Sequence, residues 1–254
     1  MTGARSVKSN QDSIHKDLEE LVRKYARTSF LRPIADHTRE AFAKAEKFIE
    51  SFYESKDQSS ECKDRRTPVQ VILDSGCGTG ESTIHIAKRF PDIPVIGIDK
   101  SLARLDKAEN AGRNLELPSN AFWVRGELLD FWKLAHEKMQ EGLWTVPYHA
   151  IFFPNPWPKQ SEATRRFHMH PIFPTMLPMA KVTELRTNWE IYAQEFAKAA
   201  TILGSEKNIE LCAEYKEYRP EEPETAFERK YMEARQQLWQ VIVTCGQPSN
   251  SSKT

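Results

Sequence analysis

The sequence predicts an α/β fold with a doubly wound, mostly parallel sheet of seven strands. Short runs of β-branched and aromatic residues alternate with stretches of helical apolar spacing between residues 69 and 245. This alternation is typical of parallel sheets whose strands are joined by right-handed crossover helices. A glycine-rich turn follows the first run, and an acidic residue stands at or just after the end of each of the first three runs. Ligands of such sheets bind beyond the carboxyl ends of the strands, so we expect the functional site there.

Apolar runs bounded by turn residues predict the strands, at 69–73, 94–99, 122–124, 148–153, 182–185, 208–215 and 238–245. Apolar residues at helical spacing predict the helices, at 13–26, 35–53, 82–89, 101–114, 131–140 and 189–203. The first two helices precede the alternating part. We therefore divide the chain into an N-terminal helical extension with a linker (1–64), an α/β domain (65–246) and a disordered tail (247–254).

Composition limits the classes of function. Lys plus Arg and Asp plus Glu number 36 each, so any contact with nucleic acid depends on a local basic patch and not on the overall charge. The four cysteines form no C-x-x-C pair, which predicts neither a zinc site nor a disulfide framework. No apolar run approaches the ~18 residues that a membrane span needs. We expect a soluble, cytoplasmic protein, a monomer or homodimer, with no membrane partner and no metal.

The segment from Leu73 to Glu81 carries a strand end, a glycine-rich turn and a helix start in direct succession. Glycines at positions 76, 78 and 80 remove Cβ atoms from the path of a ligand and allow positive φ angles. The following helix N-terminus offers unpaired N–H groups to a carboxylate or phosphate. A dinucleotide fingerprint needs its third glycine at position 81, where this chain has Glu81. A dehydrogenase is therefore a remote alternative.

Two acids indicate which ligand the turn binds. Asp74 directly precedes the turn, where it suits the positive amino and sulfonium groups of S-adenosylmethionine better than a pyrophosphate. Asp99 ends the second predicted strand about 20 residues beyond the glycines, where a carboxylate accepts hydrogen bonds from ribose hydroxyls. The alternative is a structural turn without a ligand. With both acids in place, the sequence predicts a site for S-adenosylmethionine.

A second cluster of polar and aromatic residues follows the fourth predicted strand. Three prolines stiffen residues 153–159 and hold Asn155 and Trp157 beyond the strand end. Lys159, Arg165 and Arg166 follow at once. An amide, an aromatic face and three cations suit a base, its stacking and its phosphates. The segment therefore predicts an RNA contact, and the alternative is a proline-rich loop around a packed tryptophan.

Taken together, these motifs resemble the bacterial tRNA (guanine-N7-)-methyltransferase family. The resemblance spans roughly residues 70–245 and leaves the N-terminal helices uncovered. Its proline-tryptophan motif and its Thr-x-Phe-Glu motif are specific in combination. The matching segments, in chain order, are 73–78, 97–99, 126–128, 153–159, 165–166, 187–192 and 225–228.

The resemblance implies a Rossmann-like methyltransferase domain over 65–246 that transfers a methyl group from S-adenosylmethionine to N7 of a guanine in tRNA, at position 46. It implies one catalytic residue, Asn155. It implies cofactor contacts from Asp74, Gly76, Gly78, Asp99, Glu127 and Asn155. It implies tRNA contacts from Lys159, Arg165, Arg166, Asn188, Thr225 and Glu228.

Asn155 and Asn188 stand where the family has aspartate. Guanine N7 carries a lone pair and no proton, so its methylation needs positioning and no general base. An amide at position 155 is therefore compatible with the reaction. Two alternatives stay open: a methyltransferase acting on another RNA or on an amine, and a non-catalytic relative that binds RNA or cofactor. The pair His168 and His170 has no carboxylate-rich neighbour in sequence and is interpreted as loop, not as a metal site.

Overall fold

A computed structural model of the chain describes residues 6–57, 67–112 and 117–246. The predicted class is confirmed: the chain has an α/β fold in which helices flank a mostly parallel sheet. The predicted tail over 247–254 and most of the predicted linker lie outside the described residues. Among the helices in the described ranges, none is long and apolar enough to cross a membrane.

The predicted elements appear in the predicted order. The helices are α1 (Leu18–Ala26), α2 (Asp36–Asp57), α3 (Glu81–Arg89), α4 (Leu102–Gly112), α5 (Leu128–Gln140), α6 (Phe173–Met176), α7 (Glu190–Lys207) and α8 (Ala226–Glu233). The strands are β1 (Val69–Gln70), β2 (Ile72–Ser75), β3 (Val95–Asp99), β4 (Ala121–Arg125), β5 (Trp144–Phe152), β6 (Ala180–Thr187), β7 (Leu211–Tyr218) and β8 (Leu238–Cys245). The two short helices, α6 and α8, were not predicted. The first predicted strand is split into β1 and β2, and β5 begins earlier than predicted because Pro147 interrupts its apolar run.

The chain divides into two compact units. The parallel unit comprises Arg32–Ile151 and Glu222–Arg229, and the antiparallel unit comprises Met1–Leu31, Phe152–Glu221 and Lys230–Thr254. The predicted boundary at residue 65 does not coincide with this division, because α1 and α2 fall in different units.

In the parallel unit, the strands run in the order β4-β3-β2-β5 and every pair is parallel. The apolar residues of β2 and β3 are buried on both faces, as in other parallel sheets covered by helices; Ile72, Leu73 and Ile96 have no exposed surface. Helix α2 packs on β4 and α5, and α3 packs on β3 and β4. Because all four strands run the same way, the ends of β2, β3, β4 and β5 meet at one edge of this sheet.

In the antiparallel unit, the strands run in the order β6-β8-β7 with antiparallel pairing. Helix α7 packs against all three strands, and α1 packs against α7. The core is aromatic, with Phe173 and Phe196 at a ring-centroid distance of 5.4 Å. Asn208 is the C-cap of α7 and adopts a left-handed conformation with φ 51°, as residues at helix C-termini commonly do. The proline-rich stretch before β6 forms 3-10 turns at Gln160–Arg165, Phe167–Met169 and Leu177–Met179.

Candidate active site

The glycine-rich turn between β2 and α3 needs glycine at three positions. Gly76, Gly78 and Gly80 have φ angles of +81°, +59° and +80°, a region that residues with a side chain rarely adopt. Gly80 forms the N-cap of α3. An added Cβ on Gly76 would meet no atom within 4 Å. The backbone of the turn is therefore both fixed in shape and open to a ligand at Gly76.

Asp74 holds this turn through hydrogen bonds with the first residues of α3. It is 1% exposed, and its Oδ2 accepts hydrogen bonds from Ser82 Oγ and Thr83 Oγ1, both at 2.7 Å. These bonds join the end of β2 to the first helical turn of α3. A Cβ on Gly97 of the neighbouring strand would lie 2.5 Å from Thr83 Oγ1, so Gly97 permits this close approach. The burial of Asp74 favours a role in holding the turn and placing negative charge beneath a ligand.

Asp99, at the end of β3, holds the same turn from the side. Its Oδ2 accepts from the Gly78 N–H at 3.1 Å, and its Oδ1 accepts from the Ser101 N–H at 2.8 Å. Arg104 Nη2 lies 3.2 Å from Oδ1. A carboxylate offers about four acceptor sites, so these three donors leave room for one more, such as a ribose hydroxyl.

Glu127, after the end of β4, is the third predicted acid. It is the N-cap residue of α5, without a side-chain capping bond, and its backbone N–H donates to Thr38 Oγ1 at 3.2 Å. Its side chain is half-buried. Within the described part of the chain its carboxylate accepts no hydrogen bond and forms no ion pair, so its acceptor sites are available to a ligand.

A buried hydrogen-bond chain beneath the turn was not predicted. Trp132 Nε1 donates to Ser75 Oγ at 2.9 Å, and Ser75 Oγ lies 2.8 Å from His149 Nε2. Burial lowers the pKa of His149 to about 3, so the imidazole is neutral. The chain connects the end of β2 with β5 and α5. The only sequence signal for it was a histidine inside the apolar run of β5.

The proline-tryptophan segment after β5, residues 153–158, forms a strained loop that we call the target loop. Phe153 and Trp157 have φ angles of 50° and 43°, which are uncommon for bulky residues and cluster at functional sites. Asn155 is exposed, and its Oδ1 accepts from the Trp157 N–H at 3.3 Å. The Phe153 N–H donates to the Arg186 carbonyl at 2.8 Å. The predicted presentation of Asn155 therefore has a local cause, an Asx turn that supports the strained tryptophan.

The predicted trio of cations separates into two exposed residues and one buried residue. Lys159 is exposed. Arg165 is also exposed, with its guanidinium 4.5 Å from the centre of the Trp157 ring. Arg166 has no exposed surface and lies 2.7 Å from the Glu195 carboxylate. The prediction that Arg166 contacts a phosphate is corrected, because its side chain is fully engaged inside the antiparallel unit.

The Thr-x-Phe-Glu motif forms a helix start. The Glu228 N–H donates to Thr225 Oγ1 at 3.0 Å, and Glu228 Oε2 accepts from the Glu224 N–H at 2.7 Å, an arrangement close to a capping box. Glu228 is fully buried. We therefore correct the predicted tRNA contacts of Thr225 and Glu228 and assign both residues to the N-terminus of α8.

The structure brings the five predicted cofactor residues of the parallel unit to the ends of β2, β3 and β4. Ion pairs hold the Glu222–Arg229 segment on α3, the helix that follows the glycine turn: Arg89 pairs with Glu224 at 2.5 Å, and Arg229 pairs with Glu81 at 2.8 Å. In the antiparallel unit, Asn188 is half-buried and its Nδ2 donates to Gln236 Oε1 at 3.1 Å.

The chain is similar in sequence to known proteins. A tRNA (guanine-N(7)-)-methyltransferase of Neisseria meningitidis is 28% identical over 176 residues, which cover 67% of this chain and 70% of that protein. The corresponding protein of Ralstonia pickettii is 27% identical over 187 residues, covering 70% and 67%. Among solved structures, the 16S rRNA methyltransferase KamB covers 74% of this chain and 96% of its own, with 16% identity and a TM-score of 0.47.

A family model with the description "Putative methyltransferase" matches residues 68–241. This match includes β2 to β7, the glycine turn, all three acids and the target loop, and it covers well over half of the chain. The chain therefore belongs to this family of methyltransferases, which use S-adenosylmethionine as their cofactor.

Proposed function

We propose that the protein transfers a methyl group from S-adenosylmethionine to N7 of a guanine in tRNA. The observation that carries this proposal is the strained target loop, which leaves the sheet directly after β5. Strand β5 is paired in parallel with β2, with Ala150 opposite Asp74, so in the chain the loop directly follows the strand that lies beside the first cofactor acid. The relatives named as tRNA (guanine-N(7)-)-methyltransferases support the choice of base and RNA.

The residues of the parallel unit fit the cofactor. S-adenosylmethionine supplies a methyl group on a positively charged sulfur and carries a cationic amino group. Asp74, Asp99 and Glu127 place three carboxylates at one edge of the sheet, which favours a cationic ligand. Asp99 has one acceptor site left for a ribose hydroxyl, and Glu127 has its carboxylate available. The turn at Gly76 and Gly78 allows the backbone to approach the ligand closely.

The remaining task of the protein is to hold guanine N7 in line with the methyl group, which is catalysis by positioning. We assign this task to Asn155 and the target loop around it. Trp157 offers an aromatic face for stacking, and Lys159 and Arg165 offer exposed charge for the phosphates. Asn188 completes the proposed contacts with the RNA.

Nucleoside analysis tests this function. The enzyme is incubated with isotope-labelled S-adenosylmethionine and tRNA that lacks 7-methylguanosine, and the digested tRNA is analysed by mass spectrometry. We expect the label in 7-methylguanosine. Label in another nucleoside would show a different RNA target, and label only in an added amine would show an amine methyltransferase. Cofactor binding without any transfer would show a non-catalytic relative.

The salt dependence of tRNA binding should identify the phosphate contacts. Replacing Lys159 and Arg165 together with alanine should weaken binding and lower the slope of log K against log salt by about two, since each lost phosphate contact removes roughly 0.9. Binding is measured by fluorescence anisotropy at several salt concentrations. Lys198→Ala, at an exposed position on α7, is the control and should leave the slope unchanged. A weaker affinity with an unchanged slope would exclude phosphate contacts by this pair.

The role of Asn155 can be tested with two substitutions. Asn155→Asp keeps the oxygen that accepts the Trp157 N–H, and it adds a charge that stabilises the cationic product base, so we expect turnover near that of the wild type. Asn155→Ala removes the Asx turn and should slow single-turnover methyl transfer about tenfold, equivalent to ~1.4 kcal/mol. A large loss with aspartate, beside an active wild type, would argue against guanine N7 as the acceptor.

A further inference from the structure

The N-terminal segment from Ser9 to His15, which we call the strap, is bonded to the target loop and its surroundings. Ser9 Oγ donates to the Pro158 carbonyl at 2.6 Å, and Gln160 Nε2 donates to the Asn10 carbonyl at 3.3 Å. Gln11 is 6% exposed although it lies near the chain start. A polar side chain is buried in this way only when its hydrogen bonds are satisfied.

Arg166 connects the strap to the target loop. Its Nε lies 3.2 Å from the carbonyl oxygens of both Pro156 and Trp157, and its Nη2 lies 2.9 Å from the latter. Its Nη1 donates to Gln11 Oε1 at 3.0 Å and to Glu195 Oε2 at 2.7 Å. The Arg166 guanidinium therefore donates to two carbonyls of the target loop through Nε and Nη2, and to the strap through Nη1.

Glu195 on α7 closes the network from the opposite side. Its Oε1 accepts from Gln11 Nε2 at 2.6 Å and from the His15 N–H at 2.8 Å, and its Oε2 lies 2.8 Å from His168 Nε2. Burial alone would raise the pKa of this carboxyl group, but the His168 hydrogen bond and the charge of Arg166 outweigh burial and lower it to about 2. Burial lowers the pKa of His168. A charged Glu195 with a neutral His168 donating from Nε2 satisfies this geometry.

We propose that Arg166 is a positioning residue for the target loop and that the strap, through Gln11, fixes Arg166 in place. This inference rests on the proposed function, since it gives the loop a task in methyl transfer. A backbone with two bulky residues at positive φ persists only where its surroundings over-determine it. Arg166 supplies that constraint at the carbonyls of Pro156 and Trp157, and Gln11 sets the orientation of the guanidinium by bonding both it and its counter-ion.

The test compares Gln11→Met with Gln194→Met. Methionine has the length of glutamine without its amide, so Gln11→Met removes the bonds to Arg166 and Glu195 and leaves Arg166 itself intact. Gln194 lies on α7 beside Glu195 but bonds only Glu190 among the described residues, which makes the same substitution there a matched control. We expect Gln11→Met to slow single-turnover methyl transfer about tenfold, since misplacement by about 1 Å is able to cost ~10²-fold. We expect Gln194→Met to match the wild type.

Two further measurements separate positioning from a general loss of structure. Affinity for S-adenosylhomocysteine, measured by calorimetry, should stay within about twofold, because five of the six predicted cofactor residues lie in the other unit. Hydrogen exchange at the amides of Phe153 and Trp157, which donate hydrogen bonds in the target loop, should become faster in Gln11→Met and not in Gln194→Met.

The outcomes are distinct. Unchanged exchange in the target loop of Gln11→Met would overturn the inference, whatever the activity. Faster exchange with an unchanged transfer rate would overturn the positioning role. If the wild type transfers no methyl group, the proposed function fails, while faster exchange would still establish that the strap holds the loop.

Discussion

Replacing Arg166 with methionine should destabilise the antiparallel unit by about 3–5 kcal/mol, the usual cost of leaving a buried charge without its partner. Glu195 is fully buried, and Arg166 is its one permanently charged partner among the described residues. Methionine approximates the length of the arginine stem but leaves the carboxylate with neutral donors. The measurement is urea denaturation monitored by tryptophan fluorescence.

A double-mutant cycle provides the control. Glu195→Gln in addition to Arg166→Met removes both charges and should recover at least half of the lost stability, because a neutral amide is far less costly to bury. If Arg166→Met alone cost less than about 1 kcal/mol, the ion pair would not hold the fold.

Lowering the pH should reduce the deficit in unfolding free energy that Arg166→Met causes. In the wild type the pKa of Glu195 lies below that of an unfolded glutamate, so its contribution to stability is present above the unfolded pKa and is lost as the pH falls through the folded value of about 2. Removing Arg166 takes away one of the interactions that lower the pKa of Glu195, so this pKa is higher in the folded variant than in the folded wild type. The two proteins differ most in stability where Glu195 is ionised in both, and least where it is protonated in both. The deficit should therefore be smaller at about pH 3 than at about pH 7.

The sequence predicts the helices and strands of this protein better than it predicts the side-chain contacts of its candidate site. The period of apolar residues predicts strands and helices because burial acts locally along each element. The positive φ angles of Gly76, Gly78 and Gly80 were predictable from residue type, because glycine is the residue that adopts such angles most readily. The Asx turn at Asn155 is local in the same sense, because its hydrogen bond joins residues only two positions apart.

Arg166 illustrates what the sequence alone does not specify. Two adjacent arginines look alike in sequence, yet Arg165 is exposed and Arg166 is buried. The difference comes from Glu195, which lies 29 residues away on α7, and from Gln11, 155 residues away on the strap. Charge pairing over such separations leaves no periodic signal. The motif at Thr225 and Glu228 is ambiguous although its contacts are local, because a helix cap and a base-binding pair use the same residue types.

The proposed RNA binding must be compatible with the balanced charge of the chain. A formal net charge of zero gives no long-range attraction, so the exposed cations near the target loop must act locally. Burying Arg166 with Glu195 removes one positive and one negative charge together and leaves that balance unchanged. The proposed phosphate contacts then depend on Lys159 and Arg165, whose side chains are exposed.

Replacing Asp99 with alanine should weaken the binding of S-adenosylmethionine about 100-fold, equivalent to ~2.7 kcal/mol. Two losses combine in this estimate. The ribose loses a charged acceptor, which is worth about 1.5–3 kcal/mol. The Gly78 N–H loses the oxygen that fixes the turn, so the turn must be ordered when the ligand binds. The measurement is isothermal calorimetry with S-adenosylmethionine and S-adenosylhomocysteine.

Two further variants separate the two losses. Asp99→Asn keeps an oxygen for the Gly78 N–H and loses the charge, so we expect a loss of only about tenfold. Arg104→Ala removes the ion pair with Asp99 and keeps both backbone bonds, so affinity should change less than about threefold, as for a partly exposed pair. If Asp99→Ala bound the cofactor as tightly as the wild type, the ribose contact would be refuted. If Asp99→Asn lost as much as Asp99→Ala, the charge and not the tie to the glycine turn would be the larger contribution.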